Sequence, residues 1–250
     1  MQNFTRKEHE KFKKYFKIKN SPQKWDNFYI EKTNKFIKYI KWIPGIKMVG
    51  IWNSISMNCS KKTSDIDLYI VTKKNRLWLV RILSSLVFQV LWVRKTIKKH
   101  EWRFCLSFFS TLDWMDFSEF ALEDDIYLYF WSIYFKPILD YDNTYSKFIE
   151  VNKSWAKFDS YKNILDENRS YIKYSSYPRL FLKRNLFKRH LSKILDLFDV
   201  VLKRIFLPKT KKSFTKLEKP FWVVISDDLL KFHDKDIRKK IKSILYTKVK

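Results

Sequence analysis

The sequence predicts an α+β protein, with a small mixed β-sheet and flanking helices followed by a mainly helical C-terminal half. Short apolar runs bounded by polar residues, typical of buried strands, lie in the first half of the chain. Longer segments with apolar residues at helical spacing dominate the rest. With 250 residues and a hydrophobic share of 46%, the chain is long and apolar enough to bury a full core.

Three segments are predicted strands: residues 48–52, 66–72 and 103–110. Successive side chains of a strand point to opposite faces of a sheet. In the second strand, Ile66, Leu68 and Ile70 are therefore expected on one face, packed in the core. Asp65 and Asp67 are expected together on the opposite face.

The predicted helices begin with one that starts at Ser21, has Pro22 at its first helical position and ends near residue 41. Further helices are predicted over residues 75–95, 119–135, 144–158, 180–205 and 236–247. Residues 159–178, which are polar and aromatic without clear periodicity, are predicted to be a connection. A charged loop is predicted over residues 208–219.

The longest predicted helix, in the C-terminal half, is basic and amphipathic. Its apolar stripe includes Leu191, Ile194 and Leu197, which are expected to pack against the core. Its basic face is a candidate for holding a phosphate-rich acceptor. The predicted organisation is a core with an N-terminal helix over residues 1–117 and a helical region over residues 118–250.

The charge of the chain is strongly positive. Lysine and arginine number 52 against 26 acidic residues, which gives a net charge of +26. A field of this sign attracts polyanions, so RNA or another anionic acceptor is an expected partner. The alternative is that the lysines solvate an ordinary surface, and charge by itself does not identify a ligand.

Cysteine usage and hydropathy predict a cytoplasmic protein. Cys59 and Cys105 are the only cysteines, with no CxxC pair, so neither a zinc cluster nor a disulfide framework is expected. The most apolar segment, residues 77–93, falls short of the ~20 residues that a spanning helix needs. Arg81 and Gln89 also interrupt it. A membrane is therefore not expected as a partner.

The chemistry of the chain is predicted to centre on Asp65 and Asp67. Two carboxylates on one face of a strand repel each other and raise one pKa, unless a cation neutralises them. Mg²⁺ is a hard cation that binds carboxylates together with substrate phosphates. The short polar segment Asn53–Ser54 follows the preceding strand and is a candidate phosphate-binding loop. Together these features predict a phosphoryl-transfer site.

The stretch from Gly50 to Trp78 resembles the nucleotidyltransferase superfamily of the polymerase-β type. That superfamily has an apolar strand, a Gly-Ser pair opening a short helix, a spacer, and Asp-x-Asp on the next strand. Here Asn53–Ser54 stands for the pair, residues 55–58 for the helix start, and Ser64-Asp65-Ile66-Asp67 closes the motif. Residues 53–57, 64–78 and 103–109 also resemble a group of small bacterial nucleotidyltransferase-domain proteins, and the late segment 229–238 is similar to the C-terminal end of that group.

The resemblance implies a Mg²⁺-dependent transfer of NMP from an NTP, with ATP the expected nucleotide, to an acceptor hydroxyl. Asp65 and Asp67 would be the catalytic metal ligands. Asn53 and Ser54 would bind the nucleotide phosphates, and Ser64 would support their loop. Lys74 would contact the triphosphate, the alternative being a solvated helix start.

Two departures from the superfamily pattern bear on turnover. Asn53 replaces a glycine; asparagine tolerates a positive φ but adds bulk where a phosphate approaches. The third carboxylate that the superfamily places on the third strand is also missing, and the aligned residue is Ser107. Asp113 or Glu101 is a candidate substitute. Otherwise, a catalytically degraded nucleotide- or nucleic-acid-binding protein is the alternative.

Overall fold

A computed structural model describes residues 2–96, 98–177, 185–214, 222–233 and 236–246. Within these residues, six strands form one mixed sheet in the order β4-β1-β2-β3-β6-β5. The strands are β1 (Ile46–Trp52), β2 (Ile66–Thr72), β3 (Phe104–Thr111), β4 (Lys136–Asp140), β5 (Trp222–Ile225) and β6 (Leu229–His233). The predicted α+β class and the three predicted strands are confirmed.

Helices surround this sheet and account for most of the C-terminal half. In the described part of the chain they are α1 (Arg6–Phe16), α2 (Lys24–Ile40), α3 (Leu77–Val90), α4 (Ile126–Ile133), α5 (Thr144–Asn152), α6 (Lys162–Ser170), α7 (Asn185–Phe214) and α8 (Arg238–Tyr246). The first is fixed by a capping box in which Thr5 and Glu8 satisfy each other's backbone amides.

Strand direction brings three chain segments to one edge of the sheet. β1 and β2 are antiparallel, with Trp52 opposite Asp67. β2 and β3 are parallel, with Asp67 opposite Cys105, because the chain crosses over through α3 between them. The end of β1 therefore lies beside the starts of β2 and β3.

The core has one apolar layer on each face of the sheet. Ile66, Leu68 and Ile70 lie in the layer that also contains residues of α2 and α3. Tyr69 and Val71 lie in the other layer, which is rich in aromatic residues of α4 and α5. The alternation predicted for β2 is therefore confirmed, and it places Asp67 on the aromatic side.

Several predicted helices were too long. The predicted N-cap Ser21 is two residues too early, since α2 begins at Lys24 after the N-cap Gln23 in extended conformation. The helices predicted over 75–95, 119–135 and 144–158 are represented by the shorter α3, α4 and α5. The predicted final helix corresponds to α8, and residue 247 lies outside the described residues.

The sheet and the helices gain elements that the sequence did not predict. Residues 136–140 form β4 although they contain Pro137, which argues against a central strand. β4 is the terminal strand of the sheet, where a missing amide donor is tolerated. α6 lies within the predicted connection 159–178. β4, β5 and β6 all follow residue 118, so the predicted C-terminal region contributes three strands to the sheet.

α7 differs most from its prediction. It continues through Pro208 to Phe214, so the charged loop predicted from 208 is wrong over its first seven residues. Residues 180–184 and 215–219 lie outside the described residues. The predicted packing of the stripe is also wrong for Ile194 and Leu197, which are 51% and 65% exposed. α7 packs Leu202, Phe206 and Leu207 against the core. Polar contacts also hold it on α3, including a 2.7 Å hydrogen bond from the Leu79 amide to the Asp199 carboxylate.

Candidate active site at the start of strands two and three

The candidate site is a group of three side chains at the edge where β2 and β3 begin. Asp65 precedes β2, Asp67 is its second residue, and Cys105 is the second residue of β3. One carboxylate oxygen of each aspartate and the Cys105 sulfur all lie within 4.8 Å of one another. The predicted pairing of Asp65 with Asp67 is present, and a thiol stands beside it.

The loop after β1 is positioned against Asp67 by Asn53. The Asn53 side-chain amide donates a 2.9 Å hydrogen bond to Oδ2 of Asp67. Its oxygen accepts one of 3.3 Å from the hydroxyl of Tyr127, on α4. The backbone of Asn53 has φ of 71°, a left-handed conformation that asparagine tolerates better than most residues. Asparagine thus meets the backbone demand of the glycine that it replaces.

The predicted helix start over residues 55–58 is a series of turns. The Met57 amide donates to the Asn53 carbonyl and the Cys59 amide to the Ser54 carbonyl, at 3.1 and 3.0 Å. Residues 53–58 are turns, so no regular helix with free amide donors begins at Ser54. The basis for placing Ser54 at a helix N-terminus is therefore wrong, although this half-buried residue remains on the loop beside the site.

Ser64 supports the loop that leads into β2. Its Oγ accepts a 2.9 Å hydrogen bond from the Lys61 amide. Its carbonyl accepts a 2.9 Å hydrogen bond from the Trp102 amide. These bonds tie the segment before β2 to the segment before β3. The support that was expected from Ser64 is therefore local hydrogen bonding.

Lys95 is a site residue that the sequence did not single out. Its Nζ lies 2.6 Å from Oδ2 of Asp65. The Lys95 backbone amide donates 2.8 Å to the Phe104 carbonyl, which fixes the segment beside the start of β3. No local pattern could have revealed this contact, because thirty residues and the α3 crossover separate Lys95 from Asp65.

Electrostatics set the protonation of the three groups. Burial and the neighbouring Asp65 raise the pKa of Asp67 to about 6, although the hydrogen bond from Asn53 opposes the rise. Burial, followed by the charge of Asp67, raises the pKa of the Cys105 thiol. Partial burial lowers the pKa of Lys95, but Cys105 and the two carboxylates outweigh it and raise that pKa. A protonated thiol and a charged lysine therefore accompany the carboxylates at neutral pH.

The candidate third carboxylates do not complete the group. Asp113 lies past the far end of β3 and pairs with Lys74 at 3.4 Å. The registers Asp67↔Cys105 and Thr72↔Thr111 place this pair about 16 Å from the site, at the usual rise of a strand. The structure therefore does not bring Lys74 to Asp65 and Asp67. Among the described residues, Glu101 is likewise not one of the grouped ligands.

Cys105 lies beside Asp67 through direct strand pairing, and a register shift follows it in β3. Between Asp67↔Cys105 and Tyr69↔Phe108, β3 has one residue more than β2. Strict alternation therefore fails, and Phe108 joins the aromatic layer on the side of Asp67. Ser107, the residue aligned from sequence, hydrogen-bonds to the Cys105 side chain.

A second residue missed from sequence is Lys231 of β6. It is wholly buried, with Nζ 4.3 Å from the centroid of the Phe108 ring and 4.5 Å from that of Trp131. Burial holds the pKa of Lys231 well below its ordinary value, and the charge of Asp67 partly counters this. No strand was predicted over residues 229–233, so the sequence could not place Lys231 near the site.

The donor set fits one Mg²⁺ better than two. Mg²⁺ is commonly bound through one or two carboxylates, with water and substrate phosphates completing its octahedron. Asp65 and Asp67 meet that requirement. A protonated thiol is a poor ligand for a hard cation, so Cys105 does not replace the missing carboxylate for this metal. A second Mg²⁺ would have to share the same two side chains.

We found no matching family model, curated protein or solved structure for this chain. The resemblance of residues 50–78 to polymerase-β-type nucleotidyltransferases therefore remains a prediction. No helix in the described ranges combines the length and hydropathy that crossing a bilayer requires.

Proposed function

We propose that this protein is a Mg²⁺-dependent nucleotidyltransferase that moves NMP from an NTP to an acceptor hydroxyl and releases pyrophosphate. ATP is the nucleotide to test first. The observation that supports the proposal is the grouping of Asp65 and Asp67 at the edge of the sheet, beside the loop that begins at Asn53. The rest of the site is consistent with the binding of a charged ligand.

The proposed roles of the residues follow from their contacts. Asp65 and Asp67 would hold Mg²⁺, which when bound supplies positive charge to the nucleotide phosphates. Asn53 holds Asp67 in place through its 2.9 Å hydrogen bond. Lys95 neutralises Asp65 in the free protein. A cation on Asp65 would displace Lys95, whose ammonium group would then be available to the triphosphate.

The first test removes the carboxylates one at a time. With α-labelled ATP and a broad set of acceptors, Asp65→Ala and Asp67→Ala should each reduce label transfer and pyrophosphate release by about 100-fold or more. Asp113→Ala is the matched control, because this exposed carboxylate lies at the opposite edge of the sheet. Transfer that survives both substitutions would defeat the mechanism.

A second candidate is a catalytically degraded nucleotide- or nucleic-acid-binding protein. Two observations favour it: the third ligand position carries a thiol, and Lys95 already neutralises Asp65. Titrations with labelled ATP and RNA, with and without Mg²⁺, separate the candidates. Binding without pyrophosphate release across the acceptor set would favour the second.

We place the proposed reaction in the cytoplasm. Cys59 and Cys105 are both free, as expected for a reducing compartment. The proposed partners are a nucleoside triphosphate and an anionic acceptor, for which the net charge of +26 is suitable. A bilayer partner forms no part of the proposal.

A further inference from the structure

Two exposed tryptophans near the candidate site have an unusual backbone conformation. Trp92 has φ of 57° and is 76% exposed, and Trp102 has φ of 61° and is 40% exposed. The other described non-glycine residues with positive φ are asparagine, aspartate or lysine. The left-handed region costs an ordinary residue roughly 1–2 kcal/mol, and an exposed indole recovers little of that cost by burial. The conformation of Trp92 closes the end of α3, where the Trp92 and Val93 amides donate to the Gln89 and Phe88 carbonyls. A large exposed aromatic residue at such a position is the feature that points to a ligand.

Hydrogen bonds hold both tryptophans and connect them to Asp65. The Trp102 amide donates 2.9 Å to the carbonyl of Ser64, the residue before Asp65. Its indole Nε1 donates to the Lys62 carbonyl. The Arg103 guanidinium donates to the Trp92 carbonyl, so the two tryptophan segments are also joined to each other. The Trp102 indole and the backbone of Trp92 are therefore held in place near the site.

A third exposed aromatic ring lies beside Trp102, and exposed basic residues lie in the same chain segments as the two tryptophans. Phe28 of α2 is 40% exposed, and its ring centroid lies 6.2 Å from that of Trp102. We call the surface formed by the three rings and the neighbouring basic residues the aromatic–basic surface. Its exposed basic residues are Lys61, Lys62, Arg94, Lys95, Lys98 and Lys99. Glu101 is the exposed acid in this segment, so the surface is strongly positive.

We propose that the aromatic–basic surface binds single-stranded nucleic acid and presents a sugar hydroxyl of that strand to the Asp65–Asp67 site. Exposed aromatic faces stack on unpaired bases, whereas the bases of a duplex are already stacked on one another. Lysines beside the rings bind the backbone phosphates and release counterions. The exposed apolar groups here are aromatic, which favours bases over the acyl chains of a lipid.

The acceptor role rests on the proposed function, whereas binding of the strand does not. In the transfer, the hydroxyl oxygen would form a bond to the α-phosphorus of the NTP. The bond from that phosphorus to the bridging oxygen would break, and pyrophosphate would leave with the electron pair. The hydroxyl proton would pass to solvent. Ser64 precedes Asp65 and accepts the hydrogen bond of the Trp102 amide. A nucleic-acid strand stacked on Trp102 would therefore lie next to the site.

The test is fluorescence anisotropy of the full chain with end-labelled twelve-nucleotide RNA, the same sequence as DNA, and the duplex. Trp92→Ala and Trp102→Ala should each weaken single-strand binding by about tenfold, the usual effect of losing one stacked base. Trp42→Ala is the matched control, since Trp42 is 44% exposed and lies at the end of α2. Trp102→Phe keeps a ring and should retain most of the affinity, so a folding defect in the alanine variant does not obscure the result.

Each result of the binding experiment either supports or overturns the proposal. Preference for either single strand over the duplex, with loss in the two tryptophan variants and none in Trp42→Ala, supports the proposal and shows whether RNA or DNA is preferred. Equal binding by all variants, or equal binding of the duplex, overturns it. The Asp65→Ala/Asp67→Ala double variant should still bind the strand. Binding of the strand by the wild-type chain without any transfer would reject the proposed reaction but would leave the proposed binding surface supported.

Discussion

The side-chain amide of Asn53 lies between Asp67 and Tyr127, donating to the carboxylate at 2.9 Å and accepting from the phenol at 3.3 Å. Glycine at this position would supply the same backbone conformation and neither hydrogen bond. Asparagine therefore connects the loop after β1 to the metal-binding carboxylate of the proposed site and to α4. Asparagine in place of the superfamily's glycine thus adds two hydrogen bonds and keeps the left-handed backbone conformation.

Two substitutions of Asn53 distinguish the effect of backbone strain on stability from the effect of the lost side-chain hydrogen bond. Asn53→Ala and Asn53→Gly both remove the bond to Asp67, but only alanine is strained at φ of 71°. Asn53→Ala should therefore be less stable than Asn53→Gly by about 1 kcal/mol in chemical denaturation. The pair Asn75→Ala and Asn75→Gly is the control, because exposed Asn75 has φ of 59° outside the site. Equal stabilities within both pairs would contradict the left-handed assignment.

Asp67 should make stability and metal binding depend on pH around 6. Its folded pKa of about 6 lies above the ordinary value, so between about pH 4 and 6 the folded state binds more protons than the unfolded state. The free energy of unfolding should fall as pH rises through that window, and the full loss should persist above pH 6. Mg²⁺ binds the ionised form, so stabilisation by Mg²⁺ should be present above pH 6 and fade below it.

The substitution Asp67→Asn tests the predicted fall in the free energy of unfolding with rising pH. The variant should be more stable than the wild type at pH 7.5 in the absence of metal, by a margin on the order of 2 kcal/mol, and should lose the Mg²⁺ response. At pH 4 the margin should vanish. Chemical denaturation at both pH values, with and without Mg²⁺, makes the comparison. Asp113→Asn is the control, because that carboxylate is exposed and lies outside the site.

Local pattern predicted β2 and its paired carboxylates because both depend on alternation within a few residues. The residues around those carboxylates come from elsewhere in the chain. Lys95, which pairs with Asp65, arrives through the α3 crossover. Tyr127 of α4 donates to Asn53, which in turn donates to Asp67. Cys105 lies beside Asp67 because β2 and β3 pair in parallel, and the register shift after it is one that alternation cannot anticipate. Contacts of this kind depend on strand pairing, which a single sequence does not specify.

The errors in the helices have equally local causes. A charged loop was expected from Pro208 onwards, yet α7 continues through this proline to Phe214. Ile194 and Leu197 were assigned to the core because an amphipathic stripe normally is buried, whereas α7 contacts α3 through Arg76 and Asp196 among other polar pairs. Periodicity identified the helix but could not show which of its faces packs against the sheet.

Cys105 offers a way to restore the missing carboxylate. Cys105→Asp would place a third acid within reach of Asp65 and Asp67, so Mg²⁺ affinity measured by calorimetry should rise by about tenfold. Without metal the variant should be less stable, because a third acid joins two carboxylates that already repel. Cys105→Ser adds no charge and should leave Mg²⁺ affinity unchanged. Unaltered affinity in the aspartate variant would show that residue 105 does not face the metal.

A side chain at Gly50 is expected to destabilise the protein because neighbouring atoms occupy the space that its Cβ would need. A Cβ there would lie 2.1 Å from Cζ of Phe135 and 2.7 Å from the Lys136 carbonyl oxygen. Gly50 pairs with Tyr69 on one side and Pro137 on the other, so β1 has little room to move. Gly50→Ala should therefore lower the free energy of unfolding by roughly 2–3 kcal/mol, the upper part of the range for overpacking.

A double-mutant cycle with Phe135→Leu identifies the source of that loss. The smaller side chain relieves the contact with the ring but not the contact with the Lys136 carbonyl, so rescue should be partial. The ring of Phe135 also lies 5.3 Å from that of Trp52, the residue paired with Asp67. Gly50→Ala should therefore weaken Mg²⁺ binding as well as stability. Strictly additive effects of the two substitutions would contradict the close approach of Gly50 to Phe135.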